Sequence, residues 1–164
     1  MFRSPEMREH CGGADLSPVR RSLCLTLIAL LLGPAWAASR DASPVGLWRT
    51  FDDHTGRERG LVRIWEQNGR LFGSIVSTVD PAEGKRTCEK CPDDRKNSPI
   101  LGLNIIRGLR PDGDQWSGGE ILDPETGSIY RCSMRLEDQG RKLVVRGYIG
   151  FSLLGRSQTW LRQY

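Results

Sequence analysis

The sequence predicts an all-β fold: an eight-stranded antiparallel up-and-down barrel that follows a cleaved signal peptide. Three observations predict it. Short segments rich in Val, Ile, Trp, Tyr and Thr recur from Gly46 onward, and no 3.6-residue apolar stripe persists. Turn sequences separate most of these segments by a few residues, which favours pairing between consecutive strands. A short apolar run near the N-terminus leads to small residues, as in a secretory signal.

The N-terminal segment predicts export. Arg20 and Arg21 precede the apolar run Leu23–Leu32, and Ala35 and Ala37 have the spacing that a signal peptidase reads. The run is about half of the ~20 apolar residues that span a bilayer. We therefore expect a signal peptide over residues 1–37, cleaved near Ala37, a short N-terminal linker over 38–45, and the barrel domain over 46–164. The expected location is periplasmic or secreted, with no integral membrane span.

The charge of the chain argues against a nucleic-acid partner. The formal net charge is +4, and residues 1–37 carry four of the arginines and three of the acidic residues. Basic residues of the remaining chain alternate with acidic ones and form no block, so no basic surface is expected.

Eight segments alternate or concentrate apolar residues as strands do. The sandwich is the alternative arrangement for so many short strands. The predicted strands are Leu47–Phe51, Gly60–Trp65, Arg70–Val79, Leu103–Leu109, Trp116–Leu122, Ser128–Leu136, Lys142–Ile149 and Arg156–Arg162.

The connections predict which end of the barrel is open. Asn68-Gly69 is a typical type I′ hairpin turn, because both positions accept positive φ. Alternate connections of a meander lie at alternate ends, so the loops at 54–57, 80–99, 123–127 and 150–155 share one rim. The tight turns near 68, 111 and 138 share the other rim, which should be closed. Barrels of eight strands either fill with side chains or hold one small ligand.

Alternation along two strands indicates an apolar inner row. Tyr130, Cys132, Met134 and Leu136 alternate with polar residues on the sixth strand. On the seventh strand Leu143, Val145 and Gly147 alternate less cleanly with Lys142, Arg146 and Tyr148. We expect the first row of each strand to face the interior.

The two ends of the strand region carry a resemblance. Gly46 and Trp48 open the first strand, and Trp160 and Arg162 end the last. This arrangement resembles the lipocalin or calycin pattern, in which an arginine of the final strand packs across the early tryptophan at the closed end. The resemblance implies a structural role for these four residues.

Six ordered segments are similar to the bacterial family called domain of unknown function 2147. This likeness covers nearly all of the chain after residue 37 and implies an exported, lipocalin-like barrel, but it implies no particular activity. The segments are Val45–Trp48, Cys88–Cys91, Pro99–Leu103, Ile121–Gly127, Arg146–Gly150 and Leu154–Trp160.

The cysteines allow three interpretations. After loss of Cys11 and Cys24 with the signal, Cys88, Cys91 and Cys132 remain in an oxidising compartment. Cys88 and Cys91 are expected to form a structural disulfide in the long rim loop, although the pairing among the three is open. A redox pair lacks the surrounding βαβ unit, and a zinc site would need Cys132 and His54 as further ligands. We predict neither a metal nor a cofactor.

No arrangement of residues predicts catalysis. The carboxylate pairs Asp93–Asp94 and Asp123–Glu125 lie in turn sequences, where such residues cap the turn or stay solvated. Motifs of nucleophilic, zinc-dependent or phosphate-binding enzymes are absent from the sequence. The protein is therefore not expected to be an enzyme.

The predicted function is binding of a small apolar or amphipathic, lipid-like molecule. Phe151, Leu153 and Leu154 form an apolar segment in a rim loop and could line or gate a cavity, or plug it. Arg146, Tyr148 and Gln158 are polar groups near that rim, and Arg146 could hold a carboxylate. One alternative is a packed structural or interaction module of the cell envelope, which solvent-facing Trp65 or Trp116 clustered on one side would favour. The other is a thiol or metal protein that uses Cys88 and Cys91.

Overall fold

The protein folds as a closed antiparallel barrel of eight strands. A computed structural model describes residues 43–164; the predicted signal peptide and residues 38–42 of the predicted linker lie outside the described residues. Every strand pairs with the next in sequence, and the first strand pairs with the last through Leu47–Gln163, Trp48–Arg162 and Arg49–Leu161. The predicted barrel is confirmed, and the sandwich alternative is wrong because the sheet closes on itself.

All eight predicted strands are present, with ends shifted by a few residues. The second strand begins two residues earlier than predicted, and the fourth extends three residues further. The strands are β1 (Gly46–Phe51), β2 (Glu58–Gln67), β3 (Arg70–Thr78), β4 (Asn104–Asp112), β5 (Gln115–Asp123), β6 (Ser128–Glu137), β7 (Lys142–Tyr148) and β8 (Gly155–Gln163). Between them lie one short helix, α1 (Pro81–Gly84), and 3-10 turns at Asp93–Arg95 and Asp138–Gly140.

The hairpin between β2 and β3 forms as its sequence predicts. Asn68 and Gly69 have φ values of 53° and 69°, and Gln67 pairs with Arg70 across the turn. This is the positive-φ conformation that matches the twist of the flanking strands. The turn fixes the register that turns Val62, Ile64 and Leu71 inward.

Large apolar side chains fill the half of the barrel next to the tight turns. This packed half includes Trp48, Ile64, Leu71, Leu109, Met134 and Leu143, none more than 2% exposed. Burying each such side chain contributes roughly 1.5–3 kcal/mol, so this half supplies much of the folding free energy. Of the predicted inner rows of β6 and β7, Cys132, Met134, Leu143 and Val145 are buried.

Arg162 closes this end. Its guanidinium donates to the carbonyl oxygens of Gly140 (2.7 Å), Val45 (3.0 Å) and Ser43 (2.7 Å). Gly46 lies directly beneath it with a φ of +141°, and a Cβ there would approach the Arg162 Nη1 to 2.9 Å. The positive φ favours glycine at this position, and a Cβ would displace the end of the Arg162 side chain.

The 79–103 segment between β3 and β4 folds against the outside of the barrel rather than across its interior. Arg95, 2% exposed, pairs with Asp93 at 2.6 Å and with Glu120 of β5 at 2.9 Å. Arg107 of β4 pairs with Asp94 through two hydrogen bonds of 2.8 Å. These bonds to arginine hold the pKa values of Asp93 and Asp94 below the ordinary carboxyl value.

Candidate functional site

A cavity of about 530 Å³ opens at the rim that carries the long loops. Three of the four loops predicted to share this rim border it through Arg86, Pro124 and Leu154, and the connection from β1 to β2 borders it through Asp53, one residue before the predicted 54–57 loop. The open end is therefore the one that strand order predicts. Because the rim at the other end is closed by tight turns and Arg162, the cavity is a blind pocket with one mouth.

The wall of the cavity is mainly apolar. Side chains from five strands contribute to it: Val62, Ile75, Ile121, Val145 and Trp160. Two polar groups lie among them, the phenol of Tyr130 and the amide of Gln158. The Gln158 Oε1 accepts a hydrogen bond of 3.0 Å from the Trp160 indole, which fixes the orientation of both side chains.

Small residues keep this half of the barrel hollow. Ser77 and Gly147 border the cavity, whereas the opposite half is filled by Leu, Ile, Met and Trp side chains. A Cβ at Gly147 would lie 3.4 Å from Ile121 and 3.5 Å from Tyr130, which is ordinary contact distance. A methyl group at position 147 would therefore fit, in contact with both side chains.

A network of charges surrounds Arg59 at the mouth. Arg59 hydrogen-bonds Glu125 and pairs with Glu83 at 3.2 Å and Asp52 at 4.0 Å, so it connects β2 to three rim segments. Partial burial disfavours its charged form, but the three carboxylates outweigh that effect and raise the pKa of Arg59. The network holds the rim loops around the opening.

Three of the six predicted ligand residues border the cavity. They are Tyr148, Leu154 and Gln158. Phe151 and Leu153 lie outside it and are 82% and 89% exposed. Leu154 is itself 72% exposed, so the whole apolar loop segment lies largely in solvent and only Leu154 of it borders the cavity.

Arg146 lies on the outer face, contrary to the role predicted for it. Val145 and Gly147 face inward, so Arg146, which pairs with Ser157 of β8, faces outward. Its guanidinium donates to the carbonyl oxygen of Ser152 at 2.8 Å and to the Ser157 hydroxyl at 2.9 Å. Arg146 therefore holds the 149–154 loop from outside instead of contacting the cavity contents.

Sequence reasoning missed the charged residues of the mouth. Arg59 became a strand residue only because β2 starts earlier than predicted, and its carboxylate partners come from distant loops. Arg86 borders the cavity from the 79–103 segment, whose path depends on tertiary contacts. No local pattern in the sequence points to either residue.

Two of the three cysteines form the structural disulfide that the sequence predicts, and the third is a free thiol. Cys88 and Cys91 form a disulfide with a Cα–Cα distance of 5.3 Å, and both are buried. Cys132 is a free thiol inside the barrel, where burial raises its pKa to about 12. Within residues 43–164, no three His, Cys, Asp or Glu side chains lie close enough together to hold a metal ion.

Trp65 and Trp116, which could have marked an outer interaction face, pack against different residues. Trp65 stacks on Phe72 with ring centroids 5.9 Å apart, whereas Trp116 packs against the core. In the described part of the chain, no helix has the length and hydropathy to cross a membrane.

Comparison with known families places the chain. The profile of a family described as "Uncharacterized protein conserved in bacteria (DUF2147)" matches residues 46–162. The chain belongs to this family. The matched range begins with β1 and ends one residue before β8 does, so the DUF2147 region coincides with the barrel. No curated protein matches the sequence.

The DUF2147 barrel is similar to a solved structure described as "Protein HP1028 from the human pathogen Helicobacter pylori belongs to the lipocalin family". The TM-score is 0.66 at 19% sequence identity, and the match covers 75% of this chain and 84% of that one. This likeness shows a lipocalin-like fold. Gly46, Trp48 and Arg162 meet at the closed end, as the predicted resemblance implies, whereas Trp160 is buried and borders the cavity.

Proposed function

We propose that this DUF2147 protein binds one small apolar or amphipathic molecule in the barrel cavity, without catalysing a reaction, in the periplasm or after secretion. One observation carries the proposal: an apolar cavity of about 530 Å³ with a single mouth. That volume falls within the roughly 300–1,000 Å³ of small-molecule sites. Tyr130 and Gln158 supply the few polar groups that would orient the molecule.

The loop between β7 and β8 is proposed to gate the mouth. Leu154 borders the cavity, and Phe151 and Leu153 extend from the same loop into solvent. Arg146 tethers the loop backbone through Ser152. Backbone hydrogen bonds from Ile149 to Leu154 and from Leu154 to Phe151 also close this loop, so release of the Arg146 tether would free the loop tip without disturbing the sheet and widen the opening.

The other two candidate functions have weaker support. A packed structural module does not account for the cavity, and Trp65 and Trp116 do not form a shared outer cluster. A thiol or metal function would need accessible thiols, but Cys132 is buried and the other two cysteines are joined.

A matched pair of substitutions tests the proposal. Ile121 borders the cavity from β5, and Ile129 is on the outer face of β6 with 38% exposure. Ile121→Trp should fill the cavity and abolish binding of an environment-sensitive apolar fluorophore, whereas Ile129→Trp should leave binding unchanged. Thermal unfolding of both variants checks that each still folds. Equal binding by wild type and a folded Ile121→Trp protein would contradict a cavity site.

A further inference from the structure

We propose that the ligand is an amphiphile with an anionic head group, a carboxylate or phosphate, and that Lys85, Arg86 and Lys90 bind this head group beside the mouth. The inference rests on the proposed function, because it places the apolar tail of the same molecule in the barrel cavity. It adds the chemical class of the ligand and a second subsite outside the barrel.

The subsite is a second pocket of about 330 Å³ that adjoins the first. The 85–90 segment forms one wall with Lys85, Arg86, Thr87, Glu89 and Lys90, and the 124–125 turn forms the other with Pro124 and Glu125. Arg86, Pro124 and Glu125 border both pockets. A molecule whose tail lies in the barrel can therefore place its head group in the second pocket.

The charges of this pocket favour an anion. Three cationic side chains and two carboxylates line it. Glu125 hydrogen-bonds Arg59, which also pairs with Glu83 and Asp52, so the Glu125 carboxylate still counts against the three cations of the pocket. Within residues 43–164, no ion pair engages Lys85, Arg86 or Lys90. Glu89 is the remaining carboxylate, which leaves the pocket with a net positive charge.

The wall that carries these cations is held rigidly. The Cys88–Cys91 disulfide closes the segment, and the Cys88 backbone N–H donates to the Ser98 carbonyl at 2.8 Å. On the other side Gly127, with φ +74°, lets Lys90 approach so closely that a Cβ would lie 2.1 Å from the Lys90 carbonyl oxygen. A preformed wall loses less conformational entropy when it binds an anion, which explains a disulfide at this position.

The test compares ligands that differ only in the head group. Dodecanoate, dodecyl phosphate and dodecanol would each displace an apolar fluorophore from residues 38–164 at low ionic strength. We expect the two anions to bind about tenfold more tightly than the alcohol, a preference that added salt reduces. In the triple variant Lys85→Gln, Arg86→Gln, Lys90→Gln this preference should vanish, so that the two anions and dodecanol bind with equal affinity.

A second triple variant controls for net charge. Arg63, Arg110 and Arg135 are exposed outer-face residues away from the mouth, and their replacement by Gln should leave the preference intact. Equal binding of acid and alcohol by wild type, or an unchanged preference in the Lys85/Arg86/Lys90 variant, would overturn the head-group site but not the cavity. Binding of none of the three ligands would overturn both. Inorganic phosphate alone should not compete; competition as strong as that of dodecyl phosphate would indicate a free-anion site and refute the amphiphile.

Discussion

The guanidinium carbon of Arg162 lies 4.2 Å from the centre of the Trp48 ring. The last strand thereby covers the first across the closed end of the barrel, and the same guanidinium bonds three backbone carbonyls of neighbouring segments. The Arg162 side chain thus makes both a cation–π contact and the three hydrogen bonds that join the segments at the closed end.

Loss of Arg162 should destabilise the whole barrel. We expect Arg162→Met to lower the free energy of unfolding by about 2–4 kcal/mol, since it removes charged hydrogen bonds and the cation–π contact. Urea unfolding measures this effect. Arg63→Met, on the exposed outer face of β2, should change stability by no more than about 0.5 kcal/mol. Equal losses in the two variants would contradict a special role for Arg162.

Gly127 should be far less replaceable than Gly113. Both have positive φ, +74° and +65°, so Ala introduces a similar backbone strain at each. Only at Gly127 does a Cβ also collide with backbone, the Lys90 carbonyl, whereas nothing lies within 4 Å of a Cβ at Gly113. Gly127→Ala should therefore cost about 1–3 kcal/mol more than Gly113→Ala in the same unfolding assay. Similar losses of stability in the two variants would show that the 85–92 segment moves away from the added methyl group at little energetic cost.

The buried thiol of Cys132 should be inert in the native protein. Its pKa is raised to about 12 by burial, so the thiolate is scarce at neutral pH. Residues 38–164 should give no reaction with a thiol reagent at pH 8 when folded and one thiol per chain when unfolded. Three thiols in the unfolded, unreduced protein would contradict the Cys88–Cys91 disulfide.

The same shift predicts a loss of stability in alkali. A pKa raised by folding contributes stability that is complete below the unfolded value, near 9, and is lost as pH rises toward 12. The stability difference between wild type and Cys132→Ala should therefore narrow over this range. A constant difference would mean that the thiol is accessible to water.

Release of Arg146 should loosen the gate without weakening the barrel. Arg146→Gln removes the bonds to the Ser152 carbonyl, so hydrogen exchange of backbone amides in 149–155 and exchange of a bound fluorophore should both accelerate. Arg131→Gln, on the neighbouring strand, is the matched control. Unchanged exchange in Arg146→Gln would show that the tether does not control the loop.

The sequence predicts the barrel well because its signals are local. The alternation of apolar and polar residues on β6 indicates which side chains face the interior, and the Asn68-Gly69 turn sets the register of β2 against β3. Each signal involves only a few adjacent residues. The mouth follows from strand order alone. The charged rim does not, because Arg59 meets Glu83 and Glu125 only after folding, and Arg95 reaches Glu120 across the sheet.

Arg146 illustrates the limit. The inner row of β7 is correctly identified by Leu143, Val145 and Gly147, which already places Arg146 outside. Arg146 was predicted to contact a ligand only because it lies a few residues before the rim loop in the sequence. What Arg146 touches depends on the path of the 149–154 loop, which brings the Ser152 carbonyl to its guanidinium, and that path has no signal in the sequence.

Native mass spectrometry of residues 38–164, purified from the periplasm without detergent, tests cavity binding most directly. The account predicts a discrete additional mass that disappears after organic extraction and is absent from the Ile121→Trp protein purified in the same way. A protein that has only the mass of its disulfide-bonded chain, and that stays unbound when mixed with dodecanoate, dodecyl phosphate and dodecanol, would contradict it.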